Sequence, residues 1–194
     1  MQSRKVFIAV SDSNLLKILK TSLKKAGYSV VGEARDGHAA LRMIRTLDPD
    51  VVLLDDGLSG ENSFEVAQII EEDRIAPVVL LSDGIQKDFI EMAKDYWVFA
   101  FIFKPVEEIN LVPAIETAAA NFYRLMKLEN EVAELKETLE TRKLVEKAKG
   151  ILMNTMQISE SEAFRRIQQE SMNKSMTMKE LANAIILSDG LLSN

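Results

Sequence analysis

The sequence predicts an α/β protein with a doubly wound, five-stranded parallel sheet, followed by a long coiled-coil helix and a small three-helix all-α bundle. Three observations support this prediction. Short apolar runs alternate with helix-spaced apolar residues over about the first 120 residues, which is typical of a parallel sheet covered by helices. A heptad of apolar residues follows, between Pro113 and Gly150, without another glycine or proline. Two helix-capping patterns come near the end of the chain.

The alternating part contains five strand-like runs separated by helical patterns. The predicted strands are Val6–Val10, Ser29–Ala34, Val51–Leu54, Val78–Leu81 and Phe99–Phe103. The predicted helices contain Leu15 to Leu23, Ala39 to Leu47, Phe64 to Ile70, and Ile90 with Ala93. In a doubly wound sheet, a ligand binds beyond the carboxyl ends of the strands, so the residues at these ends are the first candidates for a site.

The helix after the fifth strand is predicted to begin near Glu108 and to extend well past the sheet. Pro113 lies near its start, where proline is tolerated. Five apolar residues with 3-4-3-4 spacing, called the seam below, are Leu125, Leu128, Val132, Leu135 and Leu139. Such a stripe either packs on its own domain or pairs with a second chain. The charged residues around it favour a coiled-coil homodimer.

The last segment is rich in helical patterns. Ser159 with Glu162, and Thr177 with Glu180, have the spacing of capping boxes. We therefore expect three domains: residues 1–121 form the sheet domain, 122–141 the coiled-coil linker helix, and 142–194 the helical bundle. The bundle is small for independent stability.

Composition narrows the class of protein. The 194 residues are 47% hydrophobic and 28% charged, with no cysteine and a net charge of −6. Disulfides and thiolate metal sites are thereby excluded. No apolar run approaches the ~20 residues of a membrane helix and no signal-peptide pattern is found, so we expect a cytoplasmic protein. Residues 141–194 carry 8 basic and 6 acidic residues, so an anionic partner is compatible with this segment.

Acidic, hydroxyl and amine side chains follow four of the predicted strands. Asp12 follows the first strand, Asp55 the third, Ser82 the fourth and Lys104 the fifth. Two carboxylates at one sheet edge suit Mg²⁺, which needs only one or two of them and keeps several waters. Lys104 and Ser82 would contact a phosphoryl group attacked by Asp55.

These residues stand in "VSDSNLL", "PDVVLLDDGLSG", "APVVLLSDG" and "FIFKPV", which resemble the motifs of a two-component receiver domain over roughly residues 4–120. The resemblance implies a flavodoxin-like fold and a sensor histidine kinase as partner. It implies Asp55 as phospho-acceptor, and Mg²⁺ held by Asp12, Asp55 and the backbone of Gly57. Ser82 and Phe101 would be the switch pair, and Lys104 would bind phosphate.

Several positions depart from the receiver pattern. Ser11 stands where a second acid is usual, Ser59 where a proline is usual, and Tyr96-Trp97-Val98 where small residues are common. Asp56 occupies a usually apolar position and is assigned no chemistry. Losing one acid weakens metal binding, so a phosphorylation-independent pseudo-receiver controlled by a protein or ligand partner stays open as the alternative.

The segment "TRKLVEKAKGILMNTMQISESEAFRRIQQESMNKSMTMKELANAIIL" resembles the ANTAR domain. This resemblance implies a dimer that binds paired stem-loops in leader mRNA and prevents a terminator hairpin from forming. Candidate RNA contacts are Arg142, Lys147, Lys149, Arg165 and Arg166. Phe164 is the aromatic residue of this unit and has the spacing of a core position.

Other output classes remain open from the residues alone. A DNA-binding regulator needs a recognition helix with several base-reading side chains, of which "ISESEAFRRIQQ" has only part. A dimerisation adaptor without a nucleic-acid partner is a further possibility. An enzyme output needs a second catalytic constellation, which the sequence does not contain. We therefore expect no enzymatic activity beyond gain and loss of a phosphoryl group.

Overall fold

The computed structural model describes residues 3–60, 62–84 and 98–192. The chain divides into two compact units, Met1–Met126 and Lys127–Asn194, called unit 1 and unit 2 here. None of the helices that the structure describes is long and apolar enough to cross a membrane.

Unit 1 is built on a parallel five-stranded sheet, as predicted. The strands are β1 (Lys5–Ala9), β2 (Ser29–Ala34), β3 (Val51–Asp55), β4 (Val78–Ser82) and β5 (Ala100–Phe103). Their order across the sheet is β2-β1-β3-β4-β5, and every neighbouring pair is parallel. The helices between them are α1 (Ser13–Lys25), α2 (Gly37–Leu47) and α3 (Ser63–Glu72). The helix predicted around Ile90 and Ala93 lies outside the described residues.

Alternate residues of each central strand pack on opposite faces of the sheet, because successive side chains in a strand point to opposite sides. Ile8 and Leu53 belong to a core with α1. Phe7 and Leu54 belong to a second core with α2 and α3. The strands are therefore buried on both faces, which explains their nearly continuous apolar sequence.

The predicted long helix is present as α4, which spans Glu108–Met156 and contains 49 residues. Its first turns complete the α1 side of the sheet with Leu111, Ile115 and Ala118, which are fully buried. Further along, the residues of the seam from Leu128 to Leu139 are exposed. The apolar stripe therefore has no partner within the described part of this chain, and a long helix with such a stripe fits a coiled coil.

Unit 2 contains the end of α4 together with α5 (Glu160–Asn173) and α6 (Met178–Leu192). Its small core includes Val145, Ala148, Ile167 and Leu181. The Ser159 hydroxyl accepts the Glu162 N–H at the start of α5. Before α6 the capping box is complete: the Thr177 N–H donates to Glu180 Oε2 at 2.8 Å, and the Glu180 N–H donates to Thr177 Oγ1 at 3.2 Å.

Candidate functional site

The strand register of unit 1 brings the predicted site residues to one edge of the sheet. Asp55 is the last residue of β3 and pairs with Leu81, the neighbour of Ser82. Ser82 in turn pairs with Phe103, the neighbour of Lys104. Asp12 caps α1 at the end of β1. Since all four strands run in the same direction, their carboxyl ends present these groups together.

Asp55 is buried, with 3% of its surface exposed. Its Oδ1 lies 2.5 Å from Lys104 Nζ. This is a short, charge-assisted contact with the ammonium. Apart from Lys104, Oδ1 has no hydrogen-bond donor among the residues that the structure describes. The attacking oxygen expected from the sequence is therefore held against a cation at the carboxyl end of β3.

Opposing effects act on the ionisation of this pair. Burial raises the pKa of Asp55, whereas the Lys104 ammonium and the backbone N–H of Gly57 act to lower it. Burial also lowers the pKa of Lys104, but Asp55 and Asp83 outweigh burial and raise that pKa above its ordinary value. Lys104 is therefore a fixed positive charge beside Asp55, as phosphoryl binding requires.

The donor set around Asp55 fits Mg²⁺ in part. No group of three or more carboxylate or imidazole side chains close enough to hold a metal occurs among the described residues. Mg²⁺ does not need such a cage, because one or two carboxylates and several waters suffice. Asp12 Oδ1 accepts the N–H groups of Asn14 at 2.6 Å and Leu15 at 3.4 Å, so the cap leaves Oδ2 unused. Gly57 lies against the carboxylate of Asp55, at a distance where an added Cβ would be 3.7 Å from Oδ2.

Two of the departures from the receiver pattern, Ser11 and Ser59, contact each other. The Ser59 N–H donates to Ser11 Oγ at 2.9 Å, and the two hydroxyl oxygens are 3.1 Å apart. Ser11 Oγ also donates to the Arg35 carbonyl at 2.9 Å. The hydroxyl of Ser11 therefore tethers the loop after β3, where an acid at this position would instead add a negative charge.

Asp56, to which sequence reasoning assigned no chemistry, belongs to the site. Ser82 Oγ donates a hydrogen bond to Asp56 Oδ2 at 2.5 Å, and Asp56 Oδ1 lies 3.5 Å from Lys104 Nζ. Asp83 Oδ2 is a further partner of Lys104, at 3.0 Å. The adjacent acids in the sequence were a visible signal, but the direction of the second side chain was not.

Ser82 and Phe101, the predicted switch pair, lie on neighbouring strands. Ser82 is 1% exposed, and the register pairs Phe101 with Leu80. Phe101 is half-buried against the core on the α2 and α3 side.

The predicted RNA contacts of unit 2 differ in their surroundings. Arg142, Lys147 and Arg165 are exposed and form no ion pair with any residue in the described ranges. Arg166 is exposed and lies 3.6 Å from Glu162. These four side chains are accessible to an anionic partner, so they remain candidates.

Lys149 requires a correction. It is 6% exposed, and its Nζ lies 2.8 Å from Glu146 and 2.7 Å from Glu160. Hydrogen bonds to these two carboxylates raise the pKa of Lys149. An ammonium enclosed in this way links α4 to α5 and is not presented to a phosphate, so the assignment of Lys149 as an RNA contact is withdrawn.

Phe164 also differs from its expected core position, since 43% of its surface is exposed. It precedes Arg165 and Arg166, which line a groove of about 570 Å³ together with Leu152, Met156 and Lys174. Glu162 and Glu170 also line the groove. An exposed aromatic ring on the same helix as exposed arginines is compatible with contacts to unpaired bases.

Two family models match the chain. The response regulator receiver domain matches residues 6–116, and the ANTAR domain matches residues 133–186. The second range includes all of the predicted RNA contacts from Arg142 to Arg166.

Individual relatives agree with these matches. The transcriptional regulatory protein PdtaR of Mycobacterium tuberculosis is 39% identical over 183 residues, covering 94% of this chain and 89% of that protein. The DNA-binding response regulator MtrA of Mycolicibacterium smegmatis is 28% identical over 134 residues, covering 68% of this chain and 55% of MtrA.

Solved structures share the fold of unit 1. The signal receiver domain of a modulated diguanylate cyclase from Desulfovibrio desulfuricans G20 has a TM-score of 0.60 at 26% identity, covering 66% of this chain and 99% of that one. The receiver domain of the response regulator NarL of Mycobacterium tuberculosis has a TM-score of 0.58 at 24% identity, covering 62% of this chain and 98% of that one.

Proposed function

The chain belongs to the response-regulator family and carries a receiver domain and an ANTAR domain, and from this we propose that phosphorylation of Asp55 controls transcription antitermination through RNA binding. The observation that carries the proposal is the buried Asp55, whose Oδ1 forms a 2.5 Å ion pair with Lys104 at the carboxyl end of β3. A sensor histidine kinase is the proposed phosphoryl donor. The proposed chemistry of the chain is gain and loss of this phosphoryl group.

The proposed reaction is an in-line phosphoryl transfer. Asp55 Oδ1 attacks the phosphorus atom of a phosphohistidine, a P–O bond forms, and the P–N bond breaks with its electron pair returning to the imidazole. Lys104 supplies positive charge to the phosphoryl oxygens. Asp12, Asp55 and the Gly57 carbonyl would hold Mg²⁺, which supplies charge neutralisation to the same oxygens.

The proposed switch uses Ser82 and Phe101. In the phosphorylated state the Ser82 hydroxyl donates to a phosphoryl oxygen, and the space that it leaves lets Phe101 turn further into the core. This alters the surface formed around β5. The proposed consequence is a shift towards the homodimer in which the seams of two chains pair.

The proposed output is binding of paired stem-loops in leader mRNA, which prevents a terminator hairpin from forming. A dimer presents two copies of unit 2, and the second stem-loop then binds at a high effective concentration. A modest change in dimerisation thus produces a large change in affinity for the paired RNA. The ANTAR match and the exposed cations Arg142, Lys147, Arg165 and Arg166 support this output.

A second candidate is a pseudo-receiver whose RNA binding ignores phosphorylation. Ser11 favours it, because a hydroxyl that tethers Ser59 replaces an acid at the metal side of the pocket. A protein or ligand partner would then control the dimer. Phosphoryl uptake at Asp55 distinguishes the two candidates.

We expect Asp12→Asn to weaken Mg²⁺ binding by roughly tenfold or more, because it removes one of the few carboxylates available to the ion. Asparagine is as good a helix N-cap as aspartate, so the start of α1 is retained. Calorimetric titration of the protein with Mg²⁺ measures the effect. Asp36→Asn is the matched control, since Asp36 caps α2 by accepting the Ala39 N–H. Equal Mg²⁺ affinities of wild type and Asp12→Asn would remove Asp12 from the proposed metal site.

The RNA proposal is tested by gel-shift titration of a tandem stem-loop RNA, with duplex DNA of equal length in parallel. We expect Lys147→Met to lower RNA affinity and to reduce the slope of log affinity against log salt by about one, as for a lost phosphate contact. Its melting temperature should not change, because Lys147 is exposed.

Lys149→Met is the matched variant two residues away. It is expected to lower the melting temperature, because it removes the ammonium between Glu146 and Glu160. Absence of RNA binding by the wild type, with and without acetyl phosphate and Mg²⁺, would overturn the antitermination proposal for this RNA class. A shift of the duplex DNA instead would favour the DNA-binding alternative.

A further inference from the structure

Asp56 contacts the two groups that a phosphoryl group on Asp55 would need. Its Oδ2 accepts the Ser82 hydroxyl at 2.5 Å, and its Oδ1 is 3.5 Å from Lys104 Nζ. Both contacts lie towards β4 and β5. Asp12 lies on the other side of β3, beside β1. Asp56 is therefore placed on the phosphoryl side of the pocket and not on the proposed metal side.

The hydrogen bond from Ser82 is directed at a strong acceptor. The Ser82 hydroxyl has one proton to donate, and the Gly84 carbonyl is a second acceptor within reach at 3.1 Å. The shorter distance to the carboxylate is expected, because hydrogen bonds to ionised acceptors are shorter and stronger than those to neutral ones. A phosphoryl oxygen would have to displace Asp56 from this proton.

The negative charge of Asp56 also opposes a phosphoryl group on Asp55. Lys104 is already shared by Asp55, Asp56 and Asp83, at 2.5, 3.5 and 3.0 Å. The phosphoryl group of an aspartyl phosphate carries about −1.5 to −2 charge at neutral pH, in place of the single negative charge of the free Asp55 carboxylate. With Asp56 ionised beside it, this charge meets repulsion that an apolar residue at the same position would not produce.

We propose that Asp56 takes the place of a phosphoryl oxygen in the unphosphorylated protein, holding Ser82 and competing with a phosphoryl group on Asp55 for Ser82 and Lys104. Asp56 is thus a positioning residue that raises the threshold for phosphorylation. The inference rests on the proposed role of Asp55 as acceptor. It also connects two features of the sequence, the extra acid after β3 and the hydroxyl at Ser82.

The test is calorimetric titration of the full chain with beryllofluoride, a phosphoryl mimic, in the presence of Mg²⁺. We expect Asp56→Asn to bind it more tightly than wild type by on the order of tenfold, because one negative charge is removed and a neutral amide oxygen is a weaker acceptor for the Ser82 proton than a carboxylate. Asp83→Asn is the matched control. It also removes a carboxylate next to Lys104, but Asp83 is exposed and is not the acceptor of the Ser82 proton, so a smaller gain is expected.

A double-mutant cycle with Ser82→Ala separates competition from a general effect on folding. If Asp56 acts through Ser82, the gain from Asp56→Asn becomes smaller when the hydroxyl is absent. Asp56→Ala is expected to change affinity in the same direction as Asp56→Asn, and melting curves confirm that each variant is folded.

The outcomes separate this inference from the proposed function. Equal or weaker binding by Asp56→Asn would overturn the competition while Asp55 remains the acceptor. Failure of both wild type and Asp56→Asn to bind beryllofluoride would overturn the competition and the acceptor role together.

Discussion

Asp55→Asn protein is expected to take up no phosphoryl group from acetyl phosphate and Mg²⁺, whereas the wild-type protein is labelled. The amide that replaces the carboxylate has no charged oxygen to attack phosphorus. It keeps the size of the side chain, so β3 and the buried pocket should remain intact. Phosphate-affinity electrophoresis and intact-mass spectrometry measure the uptake directly. The expected loss is complete, because in the proposed reaction the bond to phosphorus forms at this residue alone.

The interpretation of this experiment depends on how fast the wild-type protein takes up the phosphoryl group. If Asp56 competes with the phosphoryl group, wild-type labelling is slow, and a weak signal resembles that of a pseudo-receiver. The comparison is therefore repeated in the Asp56→Asn background, where labelling is expected to be faster. Asp55→Asn must abolish labelling in that background as well. Persistent labelling would place the acceptor elsewhere, and no labelling in either background would favour the phosphorylation-independent candidate.

Most of the fold follows from periodicity. Val51 to Leu54 is apolar at every position, which predicts a strand buried on both faces, and β3 is such a strand. The leucines of α1 and the first turns of α4 have helical spacing and form one core with the sheet. The same reasoning identifies the strand ends, so Asp12, Asp55, Ser82 and Lys104 could be assigned to one edge before any coordinates.

The direction of a side chain outside a regular strand does not follow from periodicity. Asp56 lies just beyond β3, where the backbone turns, and only the structure shows its carboxylate at Ser82. The burial of Lys149 on its helix could not be predicted from periodicity either. Its neighbours Ala148 and Lys147 are buried and exposed respectively, so its own burial depends on where α5 places Glu160. Phe164 has the spacing of a core residue but lies at the edge of the bundle.

Charged substitutions in the seam are expected to have a large effect on both dimerisation and RNA affinity. Leu128→Glu with Leu135→Glu is expected to convert the proposed dimer to a monomer and to lower affinity for a tandem stem-loop RNA by about 10²-fold or more. Leu128 and Leu135 are 58% and 69% exposed in the single chain. Burying a leucine stabilises an interface by roughly 1.5–3 kcal/mol. Glutamate at these positions loses that contribution and sets like charges against each other across the two helices. Analytical ultracentrifugation and gel-shift titration measure the two effects.

A single stem-loop provides the internal control for this variant. Its affinity should be unchanged by the two substitutions, because one copy of unit 2 is sufficient to bind it and the core of that unit is untouched. Asn130→Glu places the same charge on an exposed position of α4 outside the seam, because residues two apart on a helix do not share a face with Leu128, and it should leave both RNAs bound as in wild type. A double variant that remains dimeric would show that the chains associate through another surface. A monomeric variant with full affinity for the tandem RNA would show that dimerisation does not contribute to RNA binding.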